Sequence, residues 1–170
     1  MKNRIYQQIF TVLILSGISF LTLVSCNKKH NQKEPIVVNQ EFASQNWTFD
    51  NQVMFFDFDI TDTSKAYRIE FLLTYDSSMV ELEEIPVVAT LIYPDGMETV
   101  SSSNFLFDPK VNKNITPTDV PNVCNTSLVI FPKKNLNQSG AYKIRLYRKT
   151  PKYDNYGFNA ISLKVSPLKK

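Results

Sequence analysis

The chain has 170 residues, enough for one domain behind a targeting segment, and its 43% of apolar residues provides for a hydrophobic core. Charged residues make up 21% and the formal net charge is only +3, which excludes a disordered charged tail and gives no basis for a nucleic-acid partner. With four Gly, one His and two Cys, the sequence holds neither a phosphate-binding glycine loop nor the ligands of a structural zinc site.

Residues 1–25 have the features of a lipoprotein signal peptide. Lys2 and Arg4 precede an uncharged apolar stretch that is shorter than the roughly 20 residues needed to span a membrane. The stretch ends in Leu-Val-Ser-Cys, which resembles the bacterial lipobox, and its cysteine is Cys26. We therefore predict cleavage before Cys26 and lipidation of its thiol, with palmitate among the acyl chains that hold the protein on a membrane. The alternative is an uncleaved anchor that happens to end in cysteine.

Residues 26–35 are predicted to form a flexible tether. They are polar, show no periodicity and end at a proline, and when extended they span roughly 30 Å. Lys28, Lys29 and Lys33 either contact anionic lipid headgroups or simply keep the tether soluble. The single histidine, His30, also lies here, away from any fixed groups that catalysis or metal binding would need.

Residues 36–170 are predicted to form an all-β domain. Apolar and polar residues alternate with period two over 54–60, 67–75, 85–93, 142–146 and 161–165. Shorter apolar stretches at 37–42, 100–107 and 128–131 add further strands, the last of them ended by Pro132. Because no helical crossover is available, about seven or eight strands pair antiparallel. The predicted fold is an antiparallel β-sandwich, either immunoglobulin-like or Greek-key.

Several connections carry turn signals. Pro94-Asp95-Gly96 predicts a tight turn after the strand that precedes it. Asp62-Thr63-Ser64 is expected to shape the turn into the next strand through bonds from side chains to backbone. Gly140 followed by Tyr142 resembles a tyrosine corner, or simply places a core tyrosine after a turn. Residues 108–126, rich in Pro and Asn, are predicted to form a long loop.

Clustered carboxylates are the first candidates for chemistry. Asp57, Asp59 and Asp62 suggest a Ca²⁺ site, but the first two fall on the outer face of a predicted strand and no glycine supplies a binding-loop turn. The glutamates at 81, 83 and 84 suggest glycoside hydrolysis, but three acids in so short a stretch are typical of a solvated loop. The sequence therefore predicts no metal site, no cofactor and no catalytic residue.

The remaining thiol and the large aromatic residues have alternative interpretations. Cys124 has no disulfide partner once Cys26 is acylated, and we expect a buried or partly buried free thiol. Trp47, Tyr153 and Tyr156 either form an aromatic platform for a glycan or pack the ends of the sandwich.

The mature chain resembles the gliding-motility lipoprotein GldH family in the order and spacing of short motifs. These motifs are Phe42, Trp47, residues 53–60, Asp62-Thr63-Ser64-Lys65 with Tyr67, Pro94-Asp95-Gly96, Phe131-Pro132, Gly140 with Tyr142, Gly157, and Ile161, Leu163 and Val165. Its tether is longer than the family's, and residues 108–126 lack the family's Gly-rich stretch. The resemblance implies a cell-envelope lipoprotein needed for surface gliding, or a homologue in a non-gliding relative. It implies no catalytic residue, and only Cys26 corresponds to a family residue of defined chemistry.

Two functions follow as hypotheses. The first is a non-enzymatic component of the gliding apparatus that contacts other envelope proteins while its lipid holds it on a membrane. The alternative is a surface or periplasmic lipoprotein that acts as an adhesin or binds glycans. An envelope hydrolase is the weakest hypothesis, because no pair of base and nucleophile is present. The basic residues after Cys26 favour a domain that faces the periplasm.

Overall fold

The computed structural model describes residues 34–150 and 154–169, which belong to one structural unit, residues 31–170. The predicted signal peptide at 1–25, the lipidation of Cys26 and nearly all of the tether lie outside the described residues. Within the described ranges, no helix is long and apolar enough to cross a membrane.

Strands make up most of the described chain, and one 3-10 turn lies at Ala43–Gln45. The strands are β1 Ile36–Glu41, β2 Asn46–Trp47, β3 Val53–Ile60, β4 Ala66–Asp76, β5 Glu84–Ile92, β6 Glu98–Leu106, β7 Thr116–Pro117, β8 Val123–Asn135, β9 Gly140–Arg148, β10 Asn155–Tyr156 and β11 Phe158–Pro167.

The strands form two antiparallel sheets and a small ribbon. One sheet has the order β1-β11-β4-β8-β7, the other has the order β3-β9-β5-β6, and β2 pairs with β10. The long strands pair from the outside of the chain inwards, since β1 pairs with β11, β3 with β9, β4 with β8 and β5 with β6. A long hairpin rolled into two sheets in this way is a jelly roll built from two Greek keys. The predicted all-β antiparallel sandwich is confirmed, and of its two types the Greek-key arrangement is the one observed.

Alternating burial explains why these segments fold as strands. In β3 every second residue is buried, from Met54 to Ile60, and the residues between them are exposed. The same alternation holds along β4, where the inward residues begin at Tyr67 and end at Tyr75. Phe56 of one sheet meets Phe71 of the other with ring centroids 5.2 Å apart. Burial of each such side chain contributes roughly 1.5–3 kcal/mol, and this closes the sandwich.

The strand predicted at 128–131 is much longer than expected. It extends over Val123–Asn135 and does not end at Pro132. The pairing with β4 shifts register between Phe131 and Lys134, so that Pro132 lies at an irregularity where no ladder bond from its nitrogen is needed. The predicted loop at 108–126 is correspondingly shorter, because β8 already begins at its last residues.

The sandwich has two unlike ends. Short connections, residues 61–65, 93–97 and 136–139, lie at one end, which we call the short-turn end. Long connections, residues 42–52, 77–83, 107–122 and 149–157, lie at the other, the long-loop end. Both termini of the domain are at the short-turn end, since Ile36 pairs with Val165 and the Leu168 N–H donates to Ala66 O at 2.8 Å. The predicted tether therefore joins the domain at the short-turn end.

The predicted turn features are present at the short-turn end. The Tyr142 hydroxyl donates to Gln138 O at 2.9 Å and accepts the Gln138 N–H at 3.2 Å, which confirms the tyrosine corner. The Asp62 carboxylate accepts the Ser64 N–H at 3.1 Å, as expected for a turn-shaping aspartate. Bonds of this kind fix the entry of each following strand.

Candidate functional site

The aspartates considered for a metal site do not converge. Asp57 lies on the exposed face of β3, 3.4 Å from Lys143, and Asp59 is also exposed on that face. Asp62 belongs to the turn before β4, where hydrogen bonds from Ser64 and Lys65 lower the pKa of its carboxyl group to about 2. Among the described residues, no group of three His, Cys, Asp or Glu side chains is placed to hold a metal ion.

Two of the three glutamates and the thiol are placed as the sequence predicted, whereas Glu84 is the first residue of β5. Glu81 and Glu83 are exposed in the loop between β4 and β5, and Glu84 accepts a hydrogen bond from Asn104 at 2.8 Å. Cys124 is a free, partly buried thiol that packs against the core, which confirms the expected state.

Two of the three candidate aromatic residues differ in exposure, since Trp47 is buried and Tyr156 is exposed. Trp47 is fully buried, packs against Phe42 and Phe158 with centroids 5.1 and 6.0 Å away, and donates its indole N–H to Asn51 O at 2.9 Å. The packing interpretation is therefore right for Trp47. Tyr156 is 58% exposed, and Tyr153 lies outside the described residues.

A buried arginine lies beneath the long loops, and our reading of the sequence missed it. Arg148 is 2% exposed, at the end of β9. Its guanidinium donates to Thr150 Oγ1 at 2.8 Å and to Thr48 O at 3.2 Å, and it lies 5.6 Å from the Trp47 ring. Burial lowers the pKa of Arg148, while the Asp154 carboxylate opposes that shift. Arg148 therefore joins the connection at 42–52 to the connection at 149–157.

A cavity opens at the long-loop end. Its volume is about 340 Å³, and it is lined by Ser78, Met79, Val80, Glu81, Leu82, Asp154, Asn155 and Tyr156. The loop at 77–83 and strand β10 form its walls, and they meet at Gly157. The Gly157 carbonyl accepts the Asp76 N–H at 2.7 Å, and its own N–H donates to Gln45 O at 2.9 Å. Because Gly157 has a φ of +90° and Met79 Cβ would lie 2.9 Å from an added Cβ, only glycine fits this contact.

The cavity is rich in hydrogen-bond acceptors. Glu81 and Asp154 supply carboxylates, and Asp154 also accepts the Phe49 N–H at 3.3 Å. Asn155 is 4% exposed, and its buried Oδ1 has no hydrogen-bond partner among the described residues. The exposed Tyr156 ring adds an apolar surface. This arrangement suits the binding of a ligand that has hydroxyl or amide donors and an apolar face.

No protein-family model matches this sequence, and no curated protein matches it. Among solved structures, the chain is similar to a carbohydrate-binding module, CBM28, specific for non-crystalline cellulose. That match has a TM-score of 0.41 and 10% identity, and it covers 78% of this chain and 73% of that one. The chain is also similar to VP2 of the infectious bursal disease virus subviral particle, with a TM-score of 0.37, 14% identity and coverage of 79% of this chain and 33% of that one. Similarities at this level concern the overall fold alone.

Proposed function

We propose that this chain is a lipid-anchored, non-enzymatic protein of the bacterial cell envelope that binds its partners through the long-loop end. The single observation that carries the proposal is the position of the termini. The tether joins the domain at the short-turn end, so a lipid on Cys26 would tie that end to the membrane and leave the four long connections at the untethered end. Along β4, of 11 residues, the two ends are about 35 Å apart.

Exposed apolar side chains at the long-loop end support a docking role. Phe49, Met79, Val120 and Tyr156 are 49%, 44%, 58% and 58% exposed, and each lies in a different long connection. Single exposed apolar residues are common on protein surfaces, whereas several at one end of a domain are typical of an interaction site. At the short-turn end, Met97 is 58% exposed and Val37, the second residue of β1, is 53% exposed.

The partner class in this proposal comes from the sequence. The resemblance to the gliding-motility lipoprotein family favours other envelope proteins of the gliding apparatus as the partners, and the basic tether favours a domain that faces the periplasm. Neither nucleic acid nor a cofactor enters the proposal.

A matched pair of substitutions tests the docking end in a gliding host. Met79→Asp places a charge at the long-loop end, and Met97→Asp places the same charge at the short-turn end. We expect Met79→Asp to impair gliding and Met97→Asp to leave it intact, with equal amounts of both variants in the membrane fraction. Normal gliding of a strain that lacks the protein would overturn the gliding role.

The lipid anchor has its own test. Cys26→Ala should abolish incorporation of labelled palmitate and membrane retention of the mature form, because the lipid anchor is attached to this residue. Cys124→Ala is the matched control, since Cys124 is partly buried in the sandwich and should leave both properties unchanged. Full labelling of the Cys26→Ala variant would refute the assignment.

A second candidate function, glycan binding, is favoured by the cavity itself. Acceptors from Glu81 and Asp154 next to the exposed Tyr156 ring suit a sugar, whose hydroxyl groups donate and whose ring stacks on an aromatic face. Retardation of the full-length protein in gels that contain soluble β-glucan or xylan measures such binding. Tyr156→Ala should abolish the retardation, and Tyr147→Ala, on the outer face of β9, should preserve it. Equal mobility of all three proteins with and without polysaccharide would eliminate this candidate.

A further inference from the structure

The outer face of the sheet β3-β9-β5-β6 carries a group of exposed apolar side chains. We call it the four-strand face, and it consists of every second residue of the four strands, beginning at Val53 on β3, Pro86 on β5, Glu98 on β6 and Ala141 on β9. Its exposed large apolar residues are Val53, Phe55, Val100 and Tyr147. On the outer face of the other sheet, the described residues of this kind are Val37 and Leu72.

The strand register brings these apolar side chains together. Val53, Tyr147 and the half-buried Val88 pair directly with one another across β3, β9 and β5. The next row runs across all four strands, from Phe55 on β3 to Val100 on β6. Side chains that are neighbours across strands lie about 5 Å apart, so the two rows form one continuous patch. A contiguous apolar patch of this kind is typical of an interaction surface.

The charged groups nearest to the patch are paired within the chain. Lys143 Nζ lies 3.4 Å from Asp57 Oδ1, and Arg145 Nη2 lies 3.5 Å from Glu98 Oε2. Asp57 and Glu98 lie on the side of the patch that is nearer to the short-turn end. The face therefore has an apolar centre and a charged rim, which is the arrangement of a protein–protein interface.

We propose that two copies of this chain associate face to face through the four-strand face, about a two-fold axis that is parallel to the strands. The proposal goes beyond the proposed function, and only its choice of axis rests on the lipid anchor. The four-strand face is on the side of the domain, so the pair leaves the long-loop end of each copy uncovered.

The distribution of side-chain sizes on the face favours a second copy as the occupant. Bulky side chains, Phe55 and Tyr147, are on β3 and β9, whereas smaller ones, Val88 and Val100, are at the corresponding positions of β5 and β6. The proposed axis lays β3 of one copy on β6 of the other, and β9 on β5. Phe55 then faces Val100 and Tyr147 faces Val88, and each contact occurs twice, as a two-fold interface requires.

The position of the tethers selects this axis. Both copies would be anchored through their short-turn ends, and an axis parallel to the strands keeps those two ends side by side. An axis perpendicular to the strands would place the two ends at opposite ends of the pair, about 35 Å apart along a strand as long as β4. It would also lay β3 on β3, so that bulky side chains would meet bulky ones.

The size of the face is sufficient for a specific pair. Four strands of eight or nine residues give a face of roughly 19 by 30 Å, or about 1,100 Å² for two copies before the relief of the side chains is counted. Specific interfaces begin at about 1,000 Å² in total. Anchoring of both copies to one membrane raises their effective concentration and strengthens a contact of this size.

Cysteine cross-linking in native membranes tests the pair on the full-length protein. Ala141 is exposed on β9, next to the axis, so its two Cα atoms in the pair are about 11 Å apart, within reach of a bismaleimide. Leu72, on the outer face of the other sheet, is the control position. In a Cys124→Ser background, Ala141→Cys should give at least about tenfold more cross-linked dimer than Leu72→Cys does at equal expression.

Two further variants assign the dimer to the apolar patch. Phe55→Asp places a charge at the centre of the proposed contact, and Val37→Asp places the same charge on the outer face of the other sheet, at a residue of similar exposure. In the Ala141→Cys protein, Phe55→Asp should reduce the dimer at least about tenfold, because an unpaired charge would be buried twice. Val37→Asp should leave the dimer unchanged.

Each other outcome overturns the proposal. Monomer at both cysteine positions in the membrane fraction, or equal dimer from both, would overturn the pair and leave the proposed anchor and docking end intact. Cross-links from Ala141→Cys to a different protein would also overturn it and would identify a partner of the face. Absence of the protein from the membrane fraction would overturn the anchor and, with it, this inference.

Discussion

Arg148 is the residue on which the long-loop end depends most directly. Its guanidinium holds Thr48 O and Thr150 Oγ1 and stacks near Trp47, so it connects two long connections that are far apart in sequence. Lysine keeps the charge but has neither the planar fork nor the stacking surface. The geometry at this position therefore requires arginine rather than any cation.

Arg148→Lys should lower the free energy of unfolding by about 2 kcal/mol, because hydrogen bonds to a buried charged group are lost. Arg145→Lys is the matched control on the same strand, where the partly exposed guanidinium lies 3.5 Å from Glu98. Surface pairs contribute roughly 0–1 kcal/mol, so the control should change little. Urea unfolding of the full-length variants measures both, and equal losses would contradict the structural role of Arg148.

Asp62 predicts a dependence of stability on pH. Hydrogen bonds from Ser64 and Lys65 lower its pKa from 3.8 to about 2, so the folded state favours the ionised carboxylate. Its contribution to stability is complete above pH 3.8 and is lost as the pH falls towards 2. Asp62→Asn should therefore be less stable than the wild type near pH 6, and the difference should shrink as the pH approaches 2. A difference that stays constant over this range in urea unfolding would refute the assignment.

At the residue scale, the period-two pattern predicted which apolar side chains are buried, but it missed Arg148 for one identifiable reason. The buried positions of β9 are every second residue, so Arg148 falls on the inward side with Tyr142, Ile144 and Leu146. The prediction rested on apolar residues alone, so a charged residue on the same side of the strand was not predicted to be buried. The position of Arg148 in the alternation along the strand, rather than its polarity, is the signal that would have predicted its burial.

At the element scale, the contact between the loop at 77–83 and the corner before β11 shapes the cavity. Gly157 has a φ of +90°, and an added Cβ would meet Met79 Cβ at 2.9 Å and Val80 Cγ2 at 3.0 Å. Gly96 has a φ of +84° with open space around it, so it shares the backbone conformation but not the close approach.

Comparison of the two glycines separates backbone strain from packing. Gly157→Ala should destabilise the protein by about 1–3 kcal/mol more than Gly96→Ala does, because it adds an overpacked contact to a similar backbone strain. It should also displace the loop that lines the cavity. The free energies of unfolding in urea check this, and losses of the same size in both variants would show that the contact at Gly157 is loose.

The elements themselves were predictable to different degrees. Long strands with one buried face were found because their alternation is independent of tertiary context. The two-residue strands β2, β7 and β10 were not, because so short a segment shows no periodicity. The true length of β8 was hidden by Pro132, which stops a strand in a regular ladder but is tolerated at a register irregularity.

At the scale of the whole molecule, the antiparallel sandwich was predictable and its strand order was not. Alternation specifies which face of a strand is buried but not which strand is its neighbour. The inside-out pairing of β1 with β11 and of β5 with β6 emerges only from the folded chain. The cavity was hidden for the same reason, because its walls at 77–83 and 154–156 are distant in sequence.

The strand order also makes the two ends of the domain different. Both termini and the short turns lie at one end, and the cavity, the buried Arg148 and the exposed apolar loop residues lie at the other. An anchored domain of this design would present its long loops to the envelope space and its short turns to the lipid. The proposed docking role depends on that direction.

Energy transfer from two labelled positions to acceptors in the lipid headgroups measures this direction. Met79→Cys and Met97→Cys, each in the full-length Cys124→Ser protein bound to vesicles of native lipids, place donors at the long-loop end and the short-turn end. The account predicts that the Met97 position is nearer to the bilayer surface and that the Met79 position is farther away, by up to about 35 Å along the strands. Equal distances, or a nearer Met79 position, would contradict it.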